Sequence, residues 1–172
     1  YDVSPDLTCL GKVVGGGMPI GAYGGPTKIM EWVSPLGPAY QAGTLAGNPV
    51  AVAAGIATLM ELTSGQMYKR IENVASVLEA GYRGIIDEVS RPLFFSRVGS
   101  IMTLFFSEGP VTDYDSAVRS DKEVFADYFH GMLDRGVYLP PSQFEAMFVS
   151  AAHTTEDVER TLEAARDTIK NL

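Results

Sequence analysis

Apolar positions recur every three or four residues over much of the second half of the chain. From Gly65 to Val89, the residues Met67, Ile71, Val74, Leu78, Ile85 and Val89 fall at spacings of three, four or seven. That spacing predicts a helix with one apolar stripe. Ser120-Asp121-Lys122-Glu123 reads as a capping box opening a second helix. Val124, Phe125, Tyr128, Phe129, Met132 and Leu133 fall on one side of it, and Gly136 closes it. Thr154 with Asp157 reads as another cap, followed by a stripe of Val158, Leu162, Ala165 and Ile169. Leu93-Phe94-Phe95 and Ile101 to Phe106 read as strands around a turn at Gly99. Val137-Tyr138-Leu139 and Met147-Phe148-Val149 are two shorter strand candidates. From about residue 66 the pattern therefore predicts an α+β domain, with an antiparallel sheet of about three strands and helices on one face.

The first third has a different texture. Thr8 to Val14 is short and apolar and runs into Gly15-Gly16-Gly17, and Ile20, Ala22 and Tyr23 alternate with glycines. These segments read as buried strand ends and tight turns rather than helices. Residues 34–47 are loop-like. Asn48-Pro49 is a helix start, with Asn as N-cap and Pro in the first turn. The run from Val50 to Leu62 carries no charge until Glu61, so a helix buried on most sides is expected, in a core or a subunit interface.

Composition deepens this contrast. The chain has 172 residues, 46% apolar and 20% charged, with a formal net charge of −8. Global disorder is excluded by the apolar share, and a bulk electrostatic partnership with nucleic acid or anionic membrane by the charge. No uncharged apolar run reaches the roughly 18 residues a membrane-spanning helix needs. A single cysteine, Cys9, rules out an internal disulfide and fits a reducing compartment. Residues 1–55 hold 11 of the 18 glycines but only five charges: Asp2, Asp6, Lys12, Lys28 and Glu31. Such a stretch is poorly equipped to make its own solvated surface. Together with the start at Tyr1, this leads us to expect a piece of a larger protein.

Three places carry candidate chemistry. Lys12 is the only cation among the first 27 residues, and glycines and apolar residues flank it. A lysine kept from solvent tends toward a neutral, nucleophilic amine of the kind that forms Schiff bases with carbonyl compounds. The plain alternative is a lysine that reaches solvent beside a turn. Gln41-Ala42-Gly43-Thr44-Leu45-Ala46-Gly47-Asn48-Pro49 is a glycine-rich loop feeding a helix N-terminus. Free N–H groups there would favour an anion such as phosphate, with the Thr44 hydroxyl as a further donor. The alternative is a capped turn with no ligand, and the glycine spacing matches neither a Walker loop nor the dinucleotide fingerprint. Glu145, between Phe144 and Ala146, reads either as a partly buried carboxylate able to pair with an ammonium, or as an ordinary surface acid. His130 and His153 are far apart, and no metal-ligand spacing exists.

These segments, in this order, resemble the glutamate-1-semialdehyde 2,1-aminomutase family, within the class III pyridoxal-phosphate aminotransferases. The resemblance is carried by Leu10-Gly11-Lys12-Val13-Val14-Gly15-Gly16-Gly17, by Pro19-Ile20-Gly21-Ala22-Tyr23-Gly24-Gly25, and by Tyr40-Gln41-Ala42-Gly43-Thr44-Leu45-Ala46-Gly47-Asn48-Pro49. Gly136 to Ala146 adds the segment Ser142-Gln143-Phe144-Glu145-Ala146. It implies an α/β fold, the C-terminal portion of a fold-type I pyridoxal-phosphate-dependent transferase. Residues 1–62 would end the large cofactor-binding domain, and 63–172 would form the small C-terminal α+β domain.

The resemblance also implies roles. Lys12 would hold pyridoxal 5'-phosphate or pyridoxamine 5'-phosphate and move protons at the substrate carbons. Gly43 and Thr44 would bind the cofactor phosphate, Thr44 reaching across a homodimer to the other subunit. Tyr40, Gln41 and Glu145 would lie near a small-molecule substrate. The implied reaction moves the amino group of glutamate 1-semialdehyde from carbon 2 to carbon 1, giving 5-aminolevulinate for tetrapyrroles, in bacterial cytoplasm or plastid stroma. Ala46, Pro140 and Met147 depart from the family pattern. The phosphate loop, the ring-stacking aromatic and the aspartate at the pyridine nitrogen are expected upstream of Tyr1, in a missing N-terminal portion. The chain alone is then expected to be inactive. The rival readings are a class III ω- or β-amino-acid transaminase and a non-catalytic piece.

Overall fold

The computed structural model describes residues 2–172. The chain divides into two compact units, Tyr1–Gln66 and Met67–Leu172.

In the first unit, β1 (Thr8–Leu10) pairs antiparallel with β2 (Ala22–Gly24), Cys9 lying opposite Tyr23. The connection between them contains a 3-10 turn, Lys12–Gly15, ended by Gly16 at φ 57°. Val13 and Val14 therefore lie in helical turn geometry, not in a strand end. A one-turn helix, α1 (Thr27–Met30), follows, and then the loop to α2 (Pro49–Thr63). The Asn48 side chain accepts a hydrogen bond from the Ala51 N–H at 3.0 Å, so the expected N-cap forms.

Of the two settings expected for α2, a core or a subunit interface, its own unit does not form the first. Only Ala51 and Gly55 of this helix are buried, while Val50, Ile56, Leu59 and Met60 are exposed. Uniformly apolar composition says that a helix wants cover, and the residues of its own unit supply it along one line only.

The second unit is built differently. Helix α3 (Gln66–Glu88) leads into the hairpin of β3 (Phe94–Val98) and β4 (Ile101–Phe105). A short β5 (Met147–Phe148) pairs antiparallel with β4, so the sheet order is β3-β4-β5. Phe95 lies opposite Leu104, and Arg97 opposite Met102. Phe95, Met102 and Leu104 are buried in one cluster with Leu78, Tyr82 and Ile85 of α3, Tyr128 and Met132 of α5 (Lys122–Asp134), and Val158, Ala165 and Ile169 of α6 (Thr155–Lys170). Between β4 and α5 lies a one-turn helix, α4 (Tyr114–Ala117), which the apolar pattern does not announce. It opens on a capping box of Asp113 and Ser116. Tyr82 stacks on Phe95 with ring centroids 4.8 Å apart.

Local details correct three expectations. The N-cap of α5 is Asp121, whose carboxylate accepts from the Glu123 and Val124 N–H groups, each at 3.0 Å. Ser120 instead is buried, with its hydroxyl unpartnered among the described residues. Leu133 is exposed rather than part of the core. Val137–Leu139 is not a strand. Gly136, at φ 79°, turns the chain so that its N–H donates to the Leu133 carbonyl and the Val137 N–H to the Met132 carbonyl. That is a Schellman closure, and it takes the donor a strand would need. Thr154 and Asp157 do form the expected capping box at the start of α6.

Candidate functional site

Lys12 opens its 3-10 turn with φ 54°, in the left-handed region that residues with a Cβ avoid. Its side chain is exposed, and no ion pair among the described residues includes it. The lysine thus reaches solvent beside a turn. Glycine neighbours lower the local charge density, but having no side chains they build no wall around an amine.

The Gly-Thr loop lies in the same unit. Tyr40, Gln41, Gly43 and Thr44 are all exposed, Tyr40 to 83%. The Ala46 N–H donates to the Gly43 carbonyl at 2.9 Å, which folds the loop back on itself. The Asn48 Nδ2 donates to the Leu45 carbonyl at 2.9 Å, fixing the entry to α2. The helix N-terminus itself is partly spent. Pro49 has no N–H, that of Ala51 goes to Asn48 Oδ1, and that of Val52 to the Asn48 carbonyl. Donors without a partner among the described residues include the Gly43, Thr44, Leu45 and Gly47 amides, the Thr44 hydroxyl and, in the first turn of α2, the Val50 N–H. An anion at this loop would be held by those groups, the Val50 N–H of the helix end among them.

No hydrogen bond among the described residues joins Lys12 to Tyr40, Gln41 or Thr44. Among the described residues the unit presents free groups: an amine without an acid partner, several loop amides and a hydroxyl. Their chemistry suits a phosphorylated aldehyde or its amine form. An unpaired lysine can condense with the carbonyl, and N–H and O–H donors can take the phosphate.

Glu145 belongs to the second unit. It is exposed rather than partly buried, and no lysine or arginine of the described residues pairs with it. Its N–H donates to the Ser142 carbonyl at 3.0 Å. It lines an open, mostly apolar cleft of about 460 Å³, together with Leu78, Tyr82, Met102, Pro140 and Met147.

The buried member of its segment is Gln143, which the sequence pattern does not single out. Gln143 Nε2 donates to the Leu104 carbonyl at 3.0 Å, and its Oε1 accepts from the Phe106 N–H at 3.5 Å. Gln143 therefore ties the segment to the end of β4, which sets where Glu145 can stand. A second feature without a sequence signal is the pair of buried phenols. Tyr82 and Tyr128 share a hydrogen bond of 2.9 Å, and burial pushes the Tyr82 hydroxyl up to about 12 and Tyr128 well above its ordinary range.

Compared with known proteins, residues 1–169 match the class III aminotransferase family. The chain belongs to the class III aminotransferases. Among curated members of this family, it is 52% identical over 172 residues to the glutamate-1-semialdehyde 2,1-aminomutase of Desulfitobacterium hafniense, covering 100% of this chain and 40% of that one. The enzyme of the same name from Pelotomaculum thermopropionicum is 54% identical over 170 residues, which is 99% of this chain and 39% of that one. The chain thus spans about two fifths of the length of these relatives.

Solved class III structures agree in fold. A glutamate-1-semialdehyde-aminomutase from Pseudomonas aeruginosa PAO1 in complex with PMP superposes with TM-score 0.84 at 27% identity, covering 100% of this chain and 40% of that one. An omega-transaminase from Sphaerobacter thermophilus superposes with TM-score 0.82 at 25% identity, covering 98% and 39%. The expected fold class, part of a pyridoxal-phosphate-dependent transferase, is therefore the fold observed. Among the described residues no helix is long and apolar enough to cross a membrane, and no group of His, Cys, Asp and Glu is placed to hold a metal ion.

Proposed function

We propose that this chain is the part of a glutamate-1-semialdehyde 2,1-aminomutase that anchors the cofactor. The parent reaction is an intramolecular amino transfer from glutamate 1-semialdehyde to 5-aminolevulinate, supplying tetrapyrrole synthesis. The observation that carries this reading is identity above half, along the whole chain, to relatives bearing that name. Bound pyridoxal or pyridoxamine phosphate supplies an electron-withdrawing ring next to the substrate carbons. Lys12 is the covalent anchor, and its amine moves protons at carbons 1 and 2 of the substrate. Gly43 and Thr44 hold the phosphate through their free donors. Tyr40, Gln41 and Glu145 meet the substrate.

In this reading the working protein is a homodimer in the cytoplasm, with Thr44 serving the phosphate of the other subunit. The exposed apolar residues of α2 and the exposed loop before it support an assembly larger than one chain. A class III ω- or β-amino-acid transaminase is the second reading, supported by the fold shared with the Sphaerobacter enzyme at TM-score 0.82, beside 0.84 for the Pseudomonas aminomutase.

One exchange separates the two. This chain replaces the matching C-terminal segment of the Desulfitobacterium relative, and the hybrid receives glutamate 1-semialdehyde with no keto acid. Formation of 5-aminolevulinate is the expected result. Turnover only after a keto acid acceptor is added selects the transaminase, and a folded hybrid inactive under both conditions rejects both readings.

A further inference from the structure

We propose that Gly16 and Gly55 are positioning residues for Lys12. They let the lysine turn lock onto helix α2, and the lock holds the Lys12 backbone in its left-handed conformation. The inference rests on the reading that Lys12 holds the cofactor, and it adds what places that lysine.

The geometry is an interlock of two glycines, one on each element. Gly16 follows the 3-10 turn at φ 57°, and a Cβ there would lie 2.5 Å from Thr58 Oγ1 and 2.7 Å from the Ala54 carbonyl oxygen of α2. Gly55 sits inside α2, and a Cβ there would lie 2.7 Å from the Val14 carbonyl oxygen of the lysine turn. Each element thus approaches the other where it lacks a side chain, closer than any Cβ allows. Glycine is a poor residue for a helix interior, so its presence at Gly55 needs a reason beyond propensity. The reason on view is this approach. Gly15 and Gly55 are two of the three buried residues in the described part of this unit, the third being Ala51 on the same helix.

Lys12 itself needs such a hold. A residue with a Cβ stays left-handed only when its surroundings over-determine it, and strain of this kind is used where a side chain must be presented in one direction. The turn is pinned by the Gly16 N–H to the Val13 carbonyl and the Met18 N–H to the Gly15 carbonyl, both at 3.0 Å. Those bonds fix the turn internally. The contact with α2 fixes it against a helix, besides its connections to the β1–β2 pair, and Lys12 lies two residues before Val14, the point of contact.

The test compares the chain as it stands with Gly55→Val, Gly55→Ala and, as a control, Gly24→Ala. Gly24 lies on β2 with open space where a Cβ would go. One readout is the rate at which pyridoxal phosphate attaches to Lys12, trapped with borohydride and located by peptide mapping. The other, taken without cofactor, is amide hydrogen exchange at Gly16 and Met18. Helix content by circular dichroism accompanies both. Gly55→Val is expected to slow attachment by roughly tenfold or more at unchanged helix content, as displacements near an ångström do. Gly55→Ala slows it less, Gly24→Ala not at all, and exchange at Gly16 and Met18 speeds up in the same order.

A role in folding alone lowers the labelled fraction but not the rate of the folded fraction, and that pattern overturns the proposal. So does wild-type exchange at Gly16 and Met18 in Gly55→Val, or faster exchange with an unchanged attachment rate. If Gly55→Val loses its helix content, Gly55→Ala is judged by the same criteria. If wild-type Lys12 takes no label, it is the cofactor reading that falls, and the lock still stands or falls on the exchange data.

Discussion

The two units of this chain divide chemistry from stability. Every member of the buried apolar cluster, from Ala75 to Ile169, lies in the second unit. In the first, the buried residues among those described are Gly15, Ala51 and Gly55, while Val13, Trp32, Leu36, Tyr40, Leu45 and Met60 are exposed. Yet the first unit holds the exposed lysine and the unspent donors of the Gly-Thr loop. A segment that is poor in charge and has almost no core of its own has few apolar contacts to shape it. A segment with a continuous core is shaped by itself.

The strongest way to break this division is Lys12→Ala. It is expected to abolish covalent labelling by pyridoxal phosphate and to cut turnover in the hybrid enzyme by at least about 100-fold. Because Lys12 is exposed and in no ion pair among the described residues, the denaturant midpoint of the second unit stays where it was, as followed by tyrosine absorbance. The converse change is Ile85→Ala in the fully buried core. A loss of about 2–5 kcal/mol is expected there, against less than about 0.5 kcal/mol for Leu59→Ala on the exposed face of α2, both read from urea unfolding. Equal losses at the two sites would show that the first unit has a core of its own.

A pH test addresses the second unit alone. Burial raises the Tyr82 hydroxyl from 10.0 to about 12, so the folded state holds that proton more tightly than the unfolded one. The resulting stability is present in full below pH 10 and is lost as pH rises from there through about 12. Thermal melts across that window follow it, and Tyr82→Phe is expected to flatten the dependence contributed by this group.

The smallest effect concerns the entry to α5. Asp121→Ala removes the N-cap and is expected to lower stability by about 1 kcal/mol. Ser120→Ala removes a buried hydroxyl that has no partner among the described residues, and is expected to be neutral or slightly stabilising in the same unfolding assay. A larger loss for Ser120→Ala would restore the cap to that residue.

These comparisons follow how legible the chain was. The stripes of α3, α5 and α6 and the β3–β4 hairpin could be read from spacing, since one-sided burial inside a single chain imprints a period on the sequence. The run from Val50 to Leu62 has no period to read, and its actual exposure followed from what its own unit lacks. Val137–Leu139 had strand composition, but the Schellman bonds after Gly136 took the Val137 N–H. Asp121 displaced Ser120 as cap because the residue one place nearer α5 offers a carboxylate to two amides at once. At the candidate site, Lys12 and Thr44 could be picked out by residue type, but Lys12 turned out exposed. Glu145 was equally visible in sequence, and of its two readings the exposed one holds among the described residues, while the burial of Gln143, which ties its segment down, had no period or residue type to announce it.

Sequence by itself determined the membership of the chain, the order of its elements and which residues carry reactive groups, because those depend on local pattern and side-chain type. Tertiary structure alone decided which groups are spent and which are free. Among the described residues it left the Gly43 to Leu45 amides unpaired, joined Tyr82 to Tyr128, and brought Gly16 and Gly55 to contacts no Cβ permits. The physical reason is range. Propensity and periodicity act within a few residues, whereas a hydrogen bond between Tyr82 and Tyr128, or a close approach between a turn and a helix, joins groups that only the folded chain makes neighbours.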